Sequence, residues 1–253
     1  MSQWDARQYL KFGDERTRAA AELLARVPLS DAGEVVDLGC GPGNSSALLR
    51  ARWPHARIRG IDSSPQMLEQ ARREVPSVEW IQADAANWQP QEPVDVLYAN
   101  AVFHWLPDHD RLLPRLISAL APGGVLAVQM PCNFEEPSHR LMRQLPGPWE
   151  QAVAEVRALQ PVARPAFYYD VLAPHCSSID IWQTTYEHVM ADEHAIVEWV
   201  RGTGLRPYLD AVADEQRRSY LDAYTRAIEQ AYRPRIDGKR LFSFPRLFFV
   251  AVR

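Results

Sequence analysis

Residues 34–46 read EVVDLGCGPGNSS. Val35, Val36 and Leu38 are apolar, and the two valines are β-branched, so the segment predicts a short buried strand. Gly39, Gly41 and Gly43, with Pro42 among them, are turn residues, and Asn44 can cap a helix running through Ala47, Leu48 and Leu49. Strand, glycine turn and helix in that order place a ligand against bare backbone at a helix N-terminus, because glycine has no Cβ to hold it off. The spacing narrows the ligand. A dinucleotide turn takes G-x-G-x-x-G, so that a pyrophosphate rests on helix amides. Here the third glycine comes one residue early, and Asp37 stands two residues before the first.

Working outward, Arg57 to Ile61 predicts a second strand that ends at Asp62. That carboxylate lies about 20 residues beyond the glycines, where an acidic side chain accepts from ribose hydroxyls. Ser64 and Pro65 then open a helix as N-cap and first helical residue, and Met67 sits just inside it. A third strand, Val78 to Gln82, delivers Asp84 and Ala85, and a fourth, Val94 to Ala99, delivers Asn100, His104 and Trp105. Asp108 starts a helix that carries Leu112, Leu113, Leu116, Ile117 and Leu120 and ends at Pro122-Gly123-Gly124, and Val125 to Met130 is a fifth strand. Polar residues at the C-terminal ends of successive strands are where open α/β sheets bind ligands.

The remainder is less regular. Residues 5–27 predict two short helices broken near Gly13. From 132 to 165 the pattern dissolves into Pro-punctuated short helices, and a long connection of that kind in a compact domain tends to be functional. Phe167 to Ala173 reads as helix, Ile179 to Tyr186 as a sixth strand, 191–232 as helix again, and Arg246 to Val252 as a buried antiparallel strand. The expected fold is therefore α/β: a Rossmann-like doubly wound seven-stranded sheet, mostly parallel with an antiparallel last strand. It forms one domain over 1–253, with helical cap insertions at 132–165 and 191–235.

Composition sets limits. The chain has 253 residues, 47% hydrophobic, enough for one large core, and a net charge of −4 argues against a nucleic-acid partner. Cys40, Cys132 and Cys176 lie far apart without C-x-x-C spacing, which predicts a reducing compartment and no metal site. The N-terminus has no apolar signal region, and no run approaches the roughly 18 apolar residues of a span, so the expectation is a cytoplasmic protein with no membrane partner, a monomer or weak dimer.

The D-x-G-x-G-x-G run together with Asp62 and Asp84 resembles the class I S-adenosylmethionine-dependent methyltransferases. The resemblance implies S-adenosylmethionine as cofactor and S-adenosylhomocysteine as product, with no metal. It also implies a cofactor site made of Asp37, Gly39, Cys40, Gly41, Asp62, Ser63, Met67, Asp84, Ala85 and Asn100. In that site Asp62 takes the ribose, Asp84 and the Ala85 amide take the adenine, and Met67 and Trp88 are either walls of the adenine or core residues. An N-terminal arm with Tyr9 and Phe12 either folds over the cleft or simply packs, and Arg16 is a further candidate for cofactor support. The fourth strand lacks the Asn/Asp-Pro-Pro-aromatic ending of amine methyltransferases. Its loop instead resembles those of small-molecule enzymes, with His104 and Trp105 as positioning residues and His104 either a base or a wall.

Over nearly the whole chain a finer resemblance holds. Trp4-Asp5, Tyr9-Leu10, Glu15-Arg16, LLARVPL, GIDSSPQM, WLPDH, VLAVQMP, DIWQTTY, TGLRPYL and FPRLFFVA are similar to the family of trans-aconitate 2-methyltransferases. That family implies a small anionic polycarboxylic acid as substrate and a methyl ester as product. Such an acid needs cationic forks and donors. The candidates are Arg18, Arg206 and Arg246, with Gln129, Tyr168 and Tyr169 as hydrogen-bonding walls.

Overall fold

The structure is a computed structural model that describes residues 13–156 and 161–253, with side chains from Thr17 onward. The expectations for Trp4, Asp5, Tyr9, Leu10 and Phe12, and for the side chains of Glu15 and Arg16, lie outside the described residues. The strands are β1 (Glu34–Leu38), β2 (Arg57–Asp62), β3 (Glu79–Gln82), β4 (Val94–Asn100), β5 (Leu120–Pro131), β6 (Ser178–Met190) and β7 (Arg240–Val252). They form one seven-stranded sheet in the order β3-β2-β1-β4-β5-β7-β6. The helices are α1 (Gly13–Ala25), α2 (Asn44–Arg52), α3 (Pro65–Glu74), α4 (His109–Ser118), α5 (Pro137–Gln144), α6 (Glu150–Ala154), α7 (Pro165–Leu172), α8 (Glu193–Arg201), α9 (Arg206–Ala211) and α10 (Asp214–Ala231).

The β1–β5 pairs are parallel, with Leu38 opposite Ile61, Asp62 opposite Gln82 and Asn100 opposite Gln129. Their C-terminal ends therefore share one edge. The strand order reverses between β1 and β4, the switch point at which such sheets bind ligands. β7 runs against β5: Gly123 N donates to Arg253 O at one end and Cys132 N to Pro245 O at the other. The sheet is thus the seven-stranded, mostly parallel one expected, closed antiparallel.

The chain divides into two compact units. One comprises 13–131, 163–183 and 247–253, and its centre is built from Val35, Val36, Val96, Leu97, Leu126 and Val128, all fully buried. The other comprises, among the described residues, 132–156, 161–162 and 184–246. The two stretches set apart as insertions meet within it, Met142 and Trp149 packing with Trp199, Tyr208, Tyr220 and Tyr224 in one apolar cluster. Three tyrosines tie these stretches together: Tyr220 donates to Met142 O at 2.9 Å, Tyr224 donates to Ser138 O at 2.6 Å, and the Tyr232 hydroxyl accepts from Ser138 N at 3.1 Å.

Some boundaries differ from expectation. α2 is capped by Gly43 at φ +96°, with Asn44 its first helical residue, because the glycine can take a left-handed turn that starts the helix without a side-chain cap. α4 ends at Ser118 rather than at Pro122, since Val94 N claims Ala119 O and Leu120 already pairs with Val94. β7 begins at Arg240, six residues before the apolar run, and β6 reaches Met190, each paired strand extending the other.

Candidate active site

The glycine turn is bonded to the neighbouring strand. Gly39 N and Cys40 N both donate to Ile61 O, at 2.8 and 3.0 Å. Gly39 has φ +67°, and a Cβ there would lie 2.3 Å from Val102 Cγ2, so glycine is required by packing as well as by conformation. Gly41 has φ +54°, yet a Cβ there would meet nothing within 4 Å. The turn is closed toward Val102 and open in front of Gly41. Cys40 is 3% exposed, and burial, with Asp37 and Asp62 adding, pushes its thiol up, so it stays protonated.

Asp37 is fully buried beneath the turn. Its Oδ2 accepts from Ser45 Oγ at 2.7 Å and Ser46 Oγ at 2.6 Å, which turns the first serines of α2 back toward the strand. Its Oδ1 is buried with no hydrogen-bond partner among the described residues. Burial pushes its pKa up to about 7, against the two serine hydroxyls that lower it.

Asp62, at the end of β2, binds the turn to α3. Its Oδ2 accepts from Gly41 N at 2.9 Å and its Oδ1 from Ser64 N at 2.8 Å, while burial raises its pKa against these backbone bonds. Ser64 caps α3 as expected, accepting from Met67 N at 3.3 Å, and Met67 itself is 5% exposed. Ser63 is exposed. Asp84 is exposed and fixed in its own turn, accepting from Ala86 N at 2.9 Å and Asn87 Nδ2 at 3.0 Å. Ala83 N donates to Asp62 O at 3.1 Å, so the two acidic residues share one rim, with Ala85 buried beside them.

Asn100 ends β4, its Oδ1 buried and without a hydrogen-bond partner among the described residues. Ala101 follows at φ +56° and donates to Gln129 O at 2.9 Å, which joins the loop after β4 to β5, where the Gln129 side chain is fully buried. A short 3-10 turn, Phe103–Trp105, carries His104 and Trp105 with ring centroids 4.7 Å apart, both half-buried. His109, which the sequence did not single out, anchors this loop. Its Nε2 is 2.9 Å from Phe103 O, a carbonyl that can only accept, so Nε2 carries the proton and Nδ1 accepts from the Tyr168 hydroxyl at 3.0 Å. Tyr168 is fully buried, stacked on Phe249, with its hydroxyl also 3.6 Å from Met130 Sδ. Here it serves as an internal strut.

The other acid-binding candidates are dispersed. Arg18 pairs with Glu22 along α1 at 3.0 Å with a largely exposed side chain, and Tyr169 is 55% exposed on α7. Arg206, at the start of α9, is 3.9 Å from Asp210. Arg246 is 4% exposed in β7, its guanidinium 4.7 Å from the Phe244 ring centroid and 5.8 Å from that of Tyr186. The sequence also gave no signal for Asn133 and His139, both 7% exposed in the helical unit, because neither belongs to a motif. Trp88, offered as an adenine wall, is half-buried, with its carbonyl accepting from Arg115 at 2.6 Å.

These residues fit a nucleoside attached to an amino acid. Asp62 retains lone pairs toward hydroxyl donors, Gly41 leaves backbone bare, and the orphaned oxygens of Asp37 and Asn100 are acceptors suited to an ammonium group. No group of three or more His, Cys, Asp or Glu side chains is placed to hold a metal among the described residues.

Comparison with known proteins agrees. A family model described as a methyltransferase domain matches residues 35–124. The chain is 63% identical to a trans-aconitate 2-methyltransferase of Azoarcus sp. (strain BH72), over 100% of each chain. It is 56% identical to one from Methylobacterium radiotolerans, over 99% of this chain and 98% of that one. Among solved structures, the YcgJ protein of Bacillus subtilis superposes with TM-score 0.59 at 13% identity, over 93% of this chain and 98% of that one. A Haemonchus contortus phosphoethanolamine N-methyltransferase 2, solved with S-adenosylhomocysteine, gives 0.56 at 16% identity, over 93% of this chain and 52% of that one. The solved structures share the fold, while the full-length identities assign the lineage: the chain belongs to the trans-aconitate 2-methyltransferase family.

Proposed function

We propose that the protein transfers a methyl group from S-adenosylmethionine to a carboxylate of trans-aconitate, releasing the monomethyl ester and S-adenosylhomocysteine, as a cytoplasmic monomer or weak dimer. The observation that carries this reading is full-length identity to the family combined with a turn that leaves Gly41 bare beside Asp62. When bound, S-adenosylmethionine supplies an electrophilic methyl group on a sulfonium. Asp62 binds the ribose hydroxyls, Asp84 and Ala85 read the adenine, and Asp37 and Asn100 hold the methionine end. Trp105 and Gln129 line the acceptor side.

A carboxylic acid titrates near pH 4, so at neutral pH the nucleophile is already ionised and no residue needs to remove a proton. His104 then acts as a wall that orients the acceptor, and alignment of the reactants supplies roughly 7 kcal/mol or more of the rate enhancement. Arg246 and Arg206 are the cations proposed to grip the acid, with Arg18 and Tyr169 as weaker candidates because of their exposure. Turnover against trans-aconitate, its cis isomer, citrate and isocitrate, followed by mass spectrometry, tests the assignment. The expected result is an ester formed mainly from trans-aconitate, with His104→Ala keeping much of its rate. Methylation of a hydroxyl or carbon acceptor that disappears in His104→Ala would replace it.

A further inference from the structure

Just past β5, one buried donor is left over by the scheme above. Asn133 is 7% exposed, and its Nδ2 is buried with no hydrogen-bond partner among the described residues. Buried amide donors almost always find a partner, so an orphaned one points to a ligand group. The residue is also held rigidly. On one side Cys132 N donates to Pro245 O at 3.0 Å, and Asn133 O accepts from Glu136 N at 3.0 Å. On the other, the Phe134 ring lies 3.5 Å from the Arg143 guanidinium, and Phe134 O accepts from Arg143 Nη1 at 2.8 Å.

The Cys132–Pro245 bond sets this turn beside Arg246, the next residue of β7. Arg246 is 4% exposed, its guanidinium packed over Phe244 and Tyr186. The His139 ring meets the same Phe244 at 6.4 Å, edge-on. Burial lowers the His139 pKa to about 3, so it adds no charge beside the guanidinium at neutral pH. A neutral amide and a cationic fork, both buried, one residue beyond each end of the Cys132–Pro245 bond, are the donor types a carboxylate requires.

We propose that Asn133 is a specificity-determining substrate contact, its side-chain amide and the Arg246 guanidinium together receiving one carboxylate of the acceptor acid. That carboxylate is not the one methylated, because oxygens held by a guanidinium are poor nucleophiles. The neutral amide matters, since an acid at 133 would itself pair with Arg246 and exclude the substrate. This inference rests on the proposal that the acceptor is a polycarboxylate.

The test compares wild type, Asn133→Ala and the isosteric Asn133→Asp. It measures KM and kcat for trans-aconitate, trans-aconitate-dependent thermal stabilisation in saturating S-adenosylhomocysteine, and affinity for S-adenosylhomocysteine. Loss of one hydrogen bond to a charged group predicts a KM at least about tenfold higher in Asn133→Ala. A larger rise is expected in Asn133→Asp, with kcat and S-adenosylhomocysteine affinity little changed. Thermal stabilisation by trans-aconitate falls in parallel. Unchanged KM and unchanged stabilisation in a folded Asn133→Asp overturn the inference while leaving the reaction intact. Absence of wild-type turnover with trans-aconitate overturns the functional reading, and this inference with it. Should Asn133→Ala fail to fold, the isosteric variant carries the measurement.

Discussion

At the scale of single residues, two glycines of the same turn do different work. Gly39→Ala forces a Cβ to 2.3 Å from Val102, so the expected outcome is loss of the fold around β1, read as a large drop in Tm. Gly41→Ala meets nothing in the protein and costs about 1 kcal/mol for its left-handed backbone, but it fills the open front of the turn. Calorimetry is expected to show S-adenosylhomocysteine binding lost in Gly41→Ala while the melting transition survives. Asp37 adds a pH signature. Its folded pKa, raised by burial to about 7 from 3.8, means that the native state keeps a proton the unfolded chain releases. Its contribution to stability is full below 3.8 and is lost as the pH rises through about 7. Asp37→Asn, which keeps an acceptor for Ser45 and Ser46, is therefore expected to gain on wild type by a few degrees in Tm between pH 5 and pH 8, since about 1 kcal/mol shifts Tm by about 2–4 °C in a chain of this size. A constant difference across that range would contradict the assignment.

Among the elements, strands and caps with local signals were legible in the sequence. Ser64-Pro65 caps and opens α3, and Asp62 ends β2, as their residue types dictate. Where a partner from elsewhere in the chain decides the outcome, sequence failed. Asn44 yields its cap to Gly43 because the turn must double back to Ile61 O, and Leu120 leaves the helix because Val94 offers a strand partner. Tyr168 reads like a wall residue but is spent on His109, 59 residues earlier in the chain. The same non-local logic governs α5, tied to α10 and Tyr232 by buried hydroxyls. Tyr224→Phe is expected to cost about 1 kcal/mol through the lost bond to Ser138 O, measurable by chemical denaturation. His139 lies in the same helix with its pKa lowered to about 3 by burial, with Arg143 adding, so it stabilises the fold above 6.5 and that contribution is lost as the pH falls toward 3. Its replacement by Gln is expected to flatten the acid limb of the stability curve.

For the whole molecule, a mostly parallel seven-stranded sheet closed by an antiparallel strand followed from the alternation of strands and helices, and the sequence also marks Gly41, Asp62 and Asp84, which the fold sets at the C-terminal ends of neighbouring strands. The sequence did not rank the arginines proposed to bind the acid, because arginines carry no spacing signature. Arg18 and Arg246 look alike in sequence, but one is solvated beside Glu22 and the other is buried against Phe244. Ligand linkage provides a global check: S-adenosylhomocysteine at about 100 times its Kd stabilises a protein that binds it only when folded by about 2.7 kcal/mol, which a melting scan detects. The most direct measurement of which atom is methylated supplies methyl-labelled S-adenosylmethionine with trans-aconitate and follows the label by mass spectrometry before and after mild base. Methylation of a carboxylate gives one labelled methyl per acid, released by base as methanol from an ester. A label that is absent from the acid, or that survives base on carbon or an ether oxygen, would contradict it.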